Sequence, residues 1–318
     1  HRAMYLYGSS PAYLQTQMTT GKTLEERVRN GEQVEPTGDL PEEYKRAAQR
    51  MIQFHANSEI MGTLPEKKWI KKAPSLQRKR AISAKVQDEA GHAQVLYRVA
   101  ETLGQKTRKE MLDELVNGEA KYTTVFNYPT KTWADAGYIA MFIDGAAMFR
   151  QGSLTGSSYA PYARGLRKIC YEESFHVKHG EDIVRSLATG SEKEQQMMQE
   201  AVNRWYEPTL QFFGPRDHMS DHTDELMEWG LKVKSNDELR QQYLDEFYVP
   251  KLEKYGLELP DDKLEYDEEA ERWNYTEQDW DRFVEVSRGN GPMNDERLAD
   301  RQAALEDNDW VRRAAGVA

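Results

Sequence analysis

Apolar residues recur along this chain three and four apart over four long stretches, the spacing of helices that bury one face. The first stretch starts near Pro41-Glu42 and runs to about Gly62. Pro65 follows, and because proline usually stops a helix, Trp69 to Pro74 reads as a connector. The second opens at Pro74-Ser75 and runs to Leu103, closed by Gly104. A shorter amphipathic piece covers 107–117, and Lys121 to Pro129 reads as a loop. The third long helix is expected over roughly 131–151, with a break from Gly152 to Pro161. The fourth is expected from about Tyr162 to Ala188, closed by Gly190. Together they predict an all-α protein built on a four-helix bundle.

Beyond the bundle, a helix over 191–213 carries Met197, Met198, Val202, Trp205 and Leu210 before Gly214-Pro215 ends it. One or two more helices are expected in 225–256, and helical pieces near 277–288 and 294–306. After Pro260 the chain turns acidic and aromatic, with Trp273, Trp280 and Trp310 spaced along it. A segment of that composition reads as a solvated arm; the alternative is an arm that packs on a partner subunit through those tryptophans. Residues 1–17 show neither a signal-peptide pattern nor a clear helix, and read as an extension or an upstream remnant, with Met18 a plausible natural start. Residues 18–40 read as a loose lead-in. The division expected is therefore 1–17, a bundle over 18–215, and 216–318 as additional helices and a tail packing on the bundle or on partners.

Composition narrows the function. The net charge of −11 over 318 residues argues against a nucleic-acid partner. No apolar run approaches the roughly 20 residues that span a bilayer, so no membrane role is expected and the cytoplasm is the default compartment. The single cysteine, Cys170, excludes a disulfide framework and an iron–sulfur cluster held by this chain alone. Electrons for any redox chemistry must then come from another protein.

Four acids interrupt the apolar stripes. Glu89 and His92 are three apart on the second helix, one turn along the same face, and Glu173 and His176 repeat the spacing on the fourth. Glu59 stands thirty residues before the first pair and Asp144 twenty-nine before the second. Each acid shares its face with apolar neighbours: Glu89 with Ile82, Val86, Ala93 and Leu96; Glu173 with Leu166, Ile169 and Val177. A buried carboxylate left unpaired is too costly to stay ionised, so such groups are paired or bind metal. One Glu-x-x-His in a chain with 54 acids is expected by chance, but two copies, each led by a core-facing acid, form the ligand set of a carboxylate-bridged di-iron or di-manganese bundle. A buried salt-bridge network is the bland alternative.

The phrases His55-Ala56-Asn57-Ser58-Glu59, Ala84 to His92, Lys168 to His176, Phe126-Asn127-Tyr128-Pro129-Thr130, Asp144-Gly145-Ala146-Ala147 and Asn236 to Gln241 resemble one family. It is that of the catalytic A subunits of bacterial phenylacetyl-CoA ring 1,2-epoxidases, multicomponent monooxygenases, and the resemblance runs from about Met18 to the C-terminus. It implies a ferritin-like bundle with two iron ions held by Glu59, Glu89, His92, Asp144, Glu173 and His176, the acids forming the catalytic set together with Lys85. It also implies O2 as oxidant and electrons from NADPH through a separate flavin and iron–sulfur reductase. Further partners implied are a metal-free homologous structural subunit, joined by a small bridging subunit, in a hetero-oligomer acting on a CoA thioester.

For Lys85 the resemblance favours a buried bridge to an outer acid, Asp88 or a carboxylate on another helix, over a surface lysine. A CoA ester carries several phosphate charges and calls for cationic and polar contacts. By resemblance these come from Arg50, from Lys121, Tyr122, Thr123 and Thr124, and from Lys232, Lys234 and Asn236; each could equally be an ordinary solvated residue. Rival readings are an acyl-carrier-protein desaturase, a ribonucleotide reductase small subunit and a non-catalytic ferritin-like scaffold. For the reductase reading Tyr97 is the nearest tyrosine, but on an unpromising face.

Overall fold

A computed structural model describes residues 23–36 and 40–316. The expectations for residues 1–17 and for a start at Met18 lie outside the described residues. The lead-in holds a short helix, α1 (Leu24–Arg29), which Thr23 and Glu26 open with a reciprocal capping box.

The bundle is formed by α2 (Glu42–Lys72), α3 (Leu76–Glu101), a rod made of α5 (Trp133–Tyr138) and α6 (Asp144–Leu154), and α7 (Ala160–Ala188). α4 (Arg108–Val116) lies between α3 and the loop that comes after it. The stop expected at Pro65 does not occur: α2 runs through it to Lys72, and the supposed connector from Trp69 is helix. Proline removes one hydrogen bond and crowds the preceding turn, at about 3 kcal/mol in a helix interior. Here Leu64 and Trp69 are buried on either side of it. The Trp69 ring meets Trp133 at 5.9 Å, and Lys67 and Lys68 pair with Asp300 and Glu296. Tertiary burial outweighs the local penalty. As a consequence Glu59 lies well inside its helix and not near its end.

A π turn, Ile139–Ile143, joins α5 to α6 immediately before Asp144. Such turns insert a residue into the helical ladder and re-aim the side chains beyond it, and they gather at functional sites. The backbone of α7 rests on it: a Cβ added to Gly180 would collide with the Met141 nitrogen and the Ala140 carbonyl. Only glycine permits that approach.

α8 (Glu192–Gln211), α9 (Asp221–Glu228), α10 (Asn236–Tyr243) and α11 (Val249–Lys254) come next, with a π turn (Leu244–Tyr248) between the last two. They bury Trp205, Tyr243 and Tyr248 against Tyr138 and Phe142 of the rod. α11 and the adjacent Tyr255 are pinned to α7 by Glu181, which accepts hydrogen bonds from Lys251 (2.8 Å), Lys254 (2.8 Å) and the Tyr255 hydroxyl (2.6 Å). Partial burial opposes the charge of Glu181, but these three groups outweigh it and hold the carboxyl well below its ordinary range. A depressed folded-state pKa gives stability that is complete above the unfolded value near 4.5 and lost as pH falls below it. Glu181→Gln should therefore cost about 1 kcal/mol at pH 7, a figure discounted because the lysines face solvent. In urea titrations the gap from the parent protein should close between about pH 4.5 and the acid limit. A gap that persisted unchanged at acid pH would show that the charge is not what pins α11.

The segment after Pro260 is not a solvated arm. It forms a hairpin, β1 (Glu265–Asp267) paired antiparallel with β2 (Arg272–Asn274), then α12 (Trp280–Glu285), α13 (Asn294–Asp307) and α14 (Asp309–Ala314). Trp273 exchanges hydrogen bonds with Gln241 at 2.7 and 2.9 Å. Trp280 is buried beneath the Arg240 guanidinium. Arg297, fully buried, donates to the carbonyls of Phe126 (2.9 Å) and Tyr128 (3.3 Å). Amphipathic contacts and buried arginines let this acidic stretch pack on its own chain without a separate core. Trp310 alone of the three tail tryptophans stays 71% exposed.

Candidate metal centre

The acids and histidines picked out by spacing converge inside the bundle. α2 supplies Glu59, α3 supplies Glu89 and His92, α6 opens with Asp144, and α7 supplies Glu173 and His176; all six are buried. One donor atom from each of Glu59, Glu89, His92 and Glu173 fits within a 4.8 Å cluster. The same holds for Glu89, Asp144, Glu173 and His176. The two quartets share Glu89 and Glu173. Glu173 directs Oε1 towards His92 Nδ1 (3.5 Å) and Oε2 towards His176 Nδ1 (3.0 Å). Glu89 does likewise, with Oε2 4.0 Å from His92 Nδ1 and Oε1 3.4 Å from His176 Nδ1. Two carboxylates spanning two positions, each with one imidazole and one further acid, make the donor geometry of a dinuclear site.

The surroundings hold this set in place. His92 and His176 turn Nδ1 inward, and their Nε2 atoms meet Glu172 (3.1 Å) and Asp88 (3.3 Å) on the outer side. Carboxylates on the outer nitrogen fix ring orientation and tautomer. Glu59 is gripped at Oε1 by His55 Nε2 (2.7 Å) and by the Gln151 amide (3.1 Å), while His55 Nδ1 meets the Tyr162 hydroxyl at 2.7 Å. Lys85, 3% exposed, places its ammonium 2.5 Å from Glu66 Oε2, 2.8 Å from Glu89 Oε1 and 3.0 Å from Asp144 Oδ2. The last is a charge contact without hydrogen-bond geometry, so Asp144 Oδ2 is left as a buried oxygen with no hydrogen-bond partner.

Electrostatics follow from that crowding. Burial disfavours the charged imidazoles, but hydrogen bonds to Glu173 and its fellow acids outweigh it and push both histidines up to about 11. Burial raises Asp144 well above the carboxylate range, against the pull of Lys85, whereas Lys85 and His176 overcome burial at Glu89 and hold it well below. The site thus keeps protons and an ammonium among acids that repel one another. A carboxylate-rich donor set with two imidazoles and an orphaned acid oxygen fits hard or borderline divalent ions, and fits a di-iron site.

A cavity opens beside the acids and is lined on its apolar side by Phe126, Ile143, Ala147 and Phe212. Gly62 and Gly145 leave space for neighbouring rings: a Cβ would meet Phe126 at 2.9 Å and Phe247 at 2.5 Å.

Similarity to known proteins agrees with this geometry. The model of the family described as phenylacetic acid catabolic protein matches residues 18–310. The chain belongs to the phenylacetic acid catabolic protein family. Across 298 residues it is 44% identical to the A subunit of 1,2-phenylacetyl-CoA epoxidase from Escherichia coli (strain K12), covering 94% of this chain and 96% of that protein. Among the described residues of this family member, no helix is long and apolar enough to cross a membrane.

The remaining expected contacts are more dispersed. Arg50 pairs with Glu225 of α9. Lys121 is exposed, and its carbonyl accepts from Asn57 (3.0 Å). Tyr122 is buried on Asn127 (2.5 Å), and Thr123, whose N–H donates to Ser58 Oγ (3.0 Å), borders the cavity. The Thr124 hydroxyl is buried with no hydrogen-bond partner. Lys232 donates to Asn236, Lys234 to Gln242 (2.5 Å), and the Asn236 amide to the Pro215 carbonyl (2.9 Å). Tyr97 donates to Asn57 (2.6 Å), away from the acids. Lys85 bridges to an acid on another helix, Glu66, and also lies against the donor acids Glu89 and Asp144, while Asp88 serves His176 instead.

Sequence reasoning missed Glu66, His55, Gln151 and Glu172. Glu66 falls seven residues after Glu59 and His55 four before it, both on the same helical face. The signal was present for Glu66 but lay beyond a proline read as a stop.

Proposed function

We propose that this chain is the catalytic subunit of a multicomponent di-iron oxygenase that epoxidises the aromatic ring of phenylacetyl-CoA. The observation that carries the reading is the buried double quartet of Glu59, Glu89, His92, Asp144, Glu173 and His176 in a chain 44% identical, over nearly its whole length, to an epoxidase subunit with that substrate in its name. That the relative is itself named as one subunit supports action within a multi-subunit complex. In this reading the reductase, structural and bridging partners supply what one cysteine and no nucleotide-binding fingerprint cannot.

Two iron ions bound by the quartets would supply the capacity to reduce O2 with two electrons, placing one oxygen atom on the ring and the other in water. The chain's own residues supply the rest. Glu172 and Asp88 orient the two imidazoles, and His55 with Gln151 fixes Glu59. Lys85 offsets the negative charge shared by Glu66, Glu89 and Asp144. Phe126, Ile143, Ala147 and Phe212 give the phenyl ring a dry wall beside the acids. Remote contacts to the nucleotide, with Arg50, Lys121 to Thr124, Lys232, Lys234 and Asn236 as the proposed set, then position the ring for reaction. Burial, with the neighbouring charge of Arg150 second, lowers Lys232 to about 7.

The test compares phenylacetyl-CoA with free phenylacetate in the system reconstituted with NADPH and reductase, following a one-oxygen mass gain. Free phenylacetate lacks the remote contacts and should react with kcat/KM at least about 100-fold lower. Equal oxygenation of both compounds would overturn the thioester reading.

A further inference from the structure

Arg150 lines the cavity yet forms an ion pair with none of its acids. It lies on α6, one residue before the Gln151 that holds Glu59. Its guanidinium is stacked on the rings of Phe54 (5.5 Å) and Phe212 (5.6 Å), and it lines the cavity together with Glu59, Glu89, Asp144 and Glu173. Among the described residues its side chain makes no hydrogen bond or ion pair. Two aromatic faces lower the cost of holding the cation away from water, yet they leave the planar N–H edges free. Two fully buried arginines find carbonyl acceptors at those edges: Arg240 donates to Leu210 and Gly214, and Arg297 to Phe126 and Tyr128, with only the Arg297 Nη1 left over. Burial lowers Arg150 from its ordinary value against the opposing pull of Tyr162 and Glu59, and its charge in turn helps depress Lys232.

The group within reach of this guanidinium is set by the shape of the substrate proposed above, on which this inference rests. If the phenyl ring sits against Phe126, Ile143 and Ala147 beside the acids, the group one methylene away is the thioester carbonyl. The diphosphate is separated from it by the whole pantetheine arm and cannot occupy the same cavity. A carbonyl oxygen is an acceptor with two lone pairs, and guanidinium is a rigid donor fork that its stacking rings already orient. We propose that Arg150 binds the thioester carbonyl oxygen of the acyl-CoA substrate, so that the acyl group is recognised by the same cavity that presents its ring to the metal centre. The contact is charge-assisted and is made with the acyl part alone.

The separation of acyl from nucleotide contacts gives the test. Dissociation constants for CoA and for phenylacetyl-CoA are measured by calorimetry on the metal-loaded full chain. Their ratio reads the acyl contribution free of the phosphates. Arg150→Met should reduce that ratio about tenfold or more, the worth of a charge-assisted hydrogen bond, while the affinity for CoA changes less than about twofold. Arg150→Lys retains the charge and one donor but not the fork, so it should lose less; it serves alone if the Met variant does not fold. An unchanged ratio in the variant that folds, or parallel weakening of both ligands, would overturn the assignment and leave Arg150 a structural stack. If the unsubstituted protein binds neither compound, the thioester reading itself falls, and this inference with it.

Discussion

Lys85→Met should destabilise the metal-free protein by about 3–5 kcal/mol, the loss found when one partner of a buried ion pair is removed. The ammonium lies among three buried carboxylates, at 2.5 Å from Glu66, 2.8 Å from Glu89 and 3.0 Å from Asp144. Methionine fills nearly the same volume, so packing changes little and the effect is one of charge. Those acids also hold the Lys85 pKa well above its ordinary value against the opposing effect of burial, which shows how far the pocket favours a cation. The loss has a ceiling, because Asp144 and Glu66 can take up protons in place of the missing ammonium; burial already raises both. Thermal unfolding should show a fall of roughly 5–15 °C. Adding Glu66→Gln to the same protein should restore part of it, since one of the stranded acids is then neutral. Loading with divalent metal should narrow the deficit, as positive charge returns beside Glu89 and Asp144. A melting temperature within a degree or two of the parent would mean that Lys85 is dispensable to the charge balance.

Metal content should separate the acids common to both donor quartets from those found in only one. Glu89 and Glu173 belong to both donor quartets, whereas Glu59 and His92 belong to one and Asp144 and His176 to the other. The parent protein loaded with iron should carry about two metals per chain. Glu173→Ala removes a donor from both positions, together with the carboxylate that spans His92 and His176, and should bring the count close to zero. Glu59→Ala leaves the quartet of Glu89, Asp144, Glu173 and His176 whole and should retain about one. Oxygenation of phenylacetyl-CoA should be lost in both, because the proposed chemistry needs the pair. Elemental analysis of dialysed protein decides the matter, with circular dichroism to confirm that the helices persist. Equal metal loss from the two variants would contradict a dinuclear site with shared acids.

Much of this centre was legible in the order of residues. Helical spacing alone put Glu89 beside His92 and Glu173 beside His176, and the apolar neighbours of each acid marked a face that had to be buried. The cost of burying unpaired acids then required a partner, and six donors of this kind point to metal. Recognition of Glu66 was lost with the proline stop. A local rule assigns Pro65 to a helix end; the chain continues because Trp69 packs on Trp133 and because Lys67 and Lys68 pair with α13. Neither contact is visible within a window of neighbouring residues. The surface on which the tail packs was hidden for the same reason. The tail's composition is that of a solvated segment, but Arg297 finds its acceptors at Phe126 and Tyr128, some 170 residues earlier.

The sequence by itself determined which helices form the bundle and which acids and histidines interrupt their apolar faces. These are consequences of periodicity and of desolvation, each a property of residue types at fixed spacing. Only the tertiary structure decided which acids are shared between the two donor quartets, where Lys85 places its charge, and that Arg150 lines a cavity without pairing with any of its acids. It also placed the π turn before Asp144, which rests on the close approach of Gly180 to Met141. Those outcomes depend on distances between helices, and such distances are set by side chains meeting across the core, far apart in the chain.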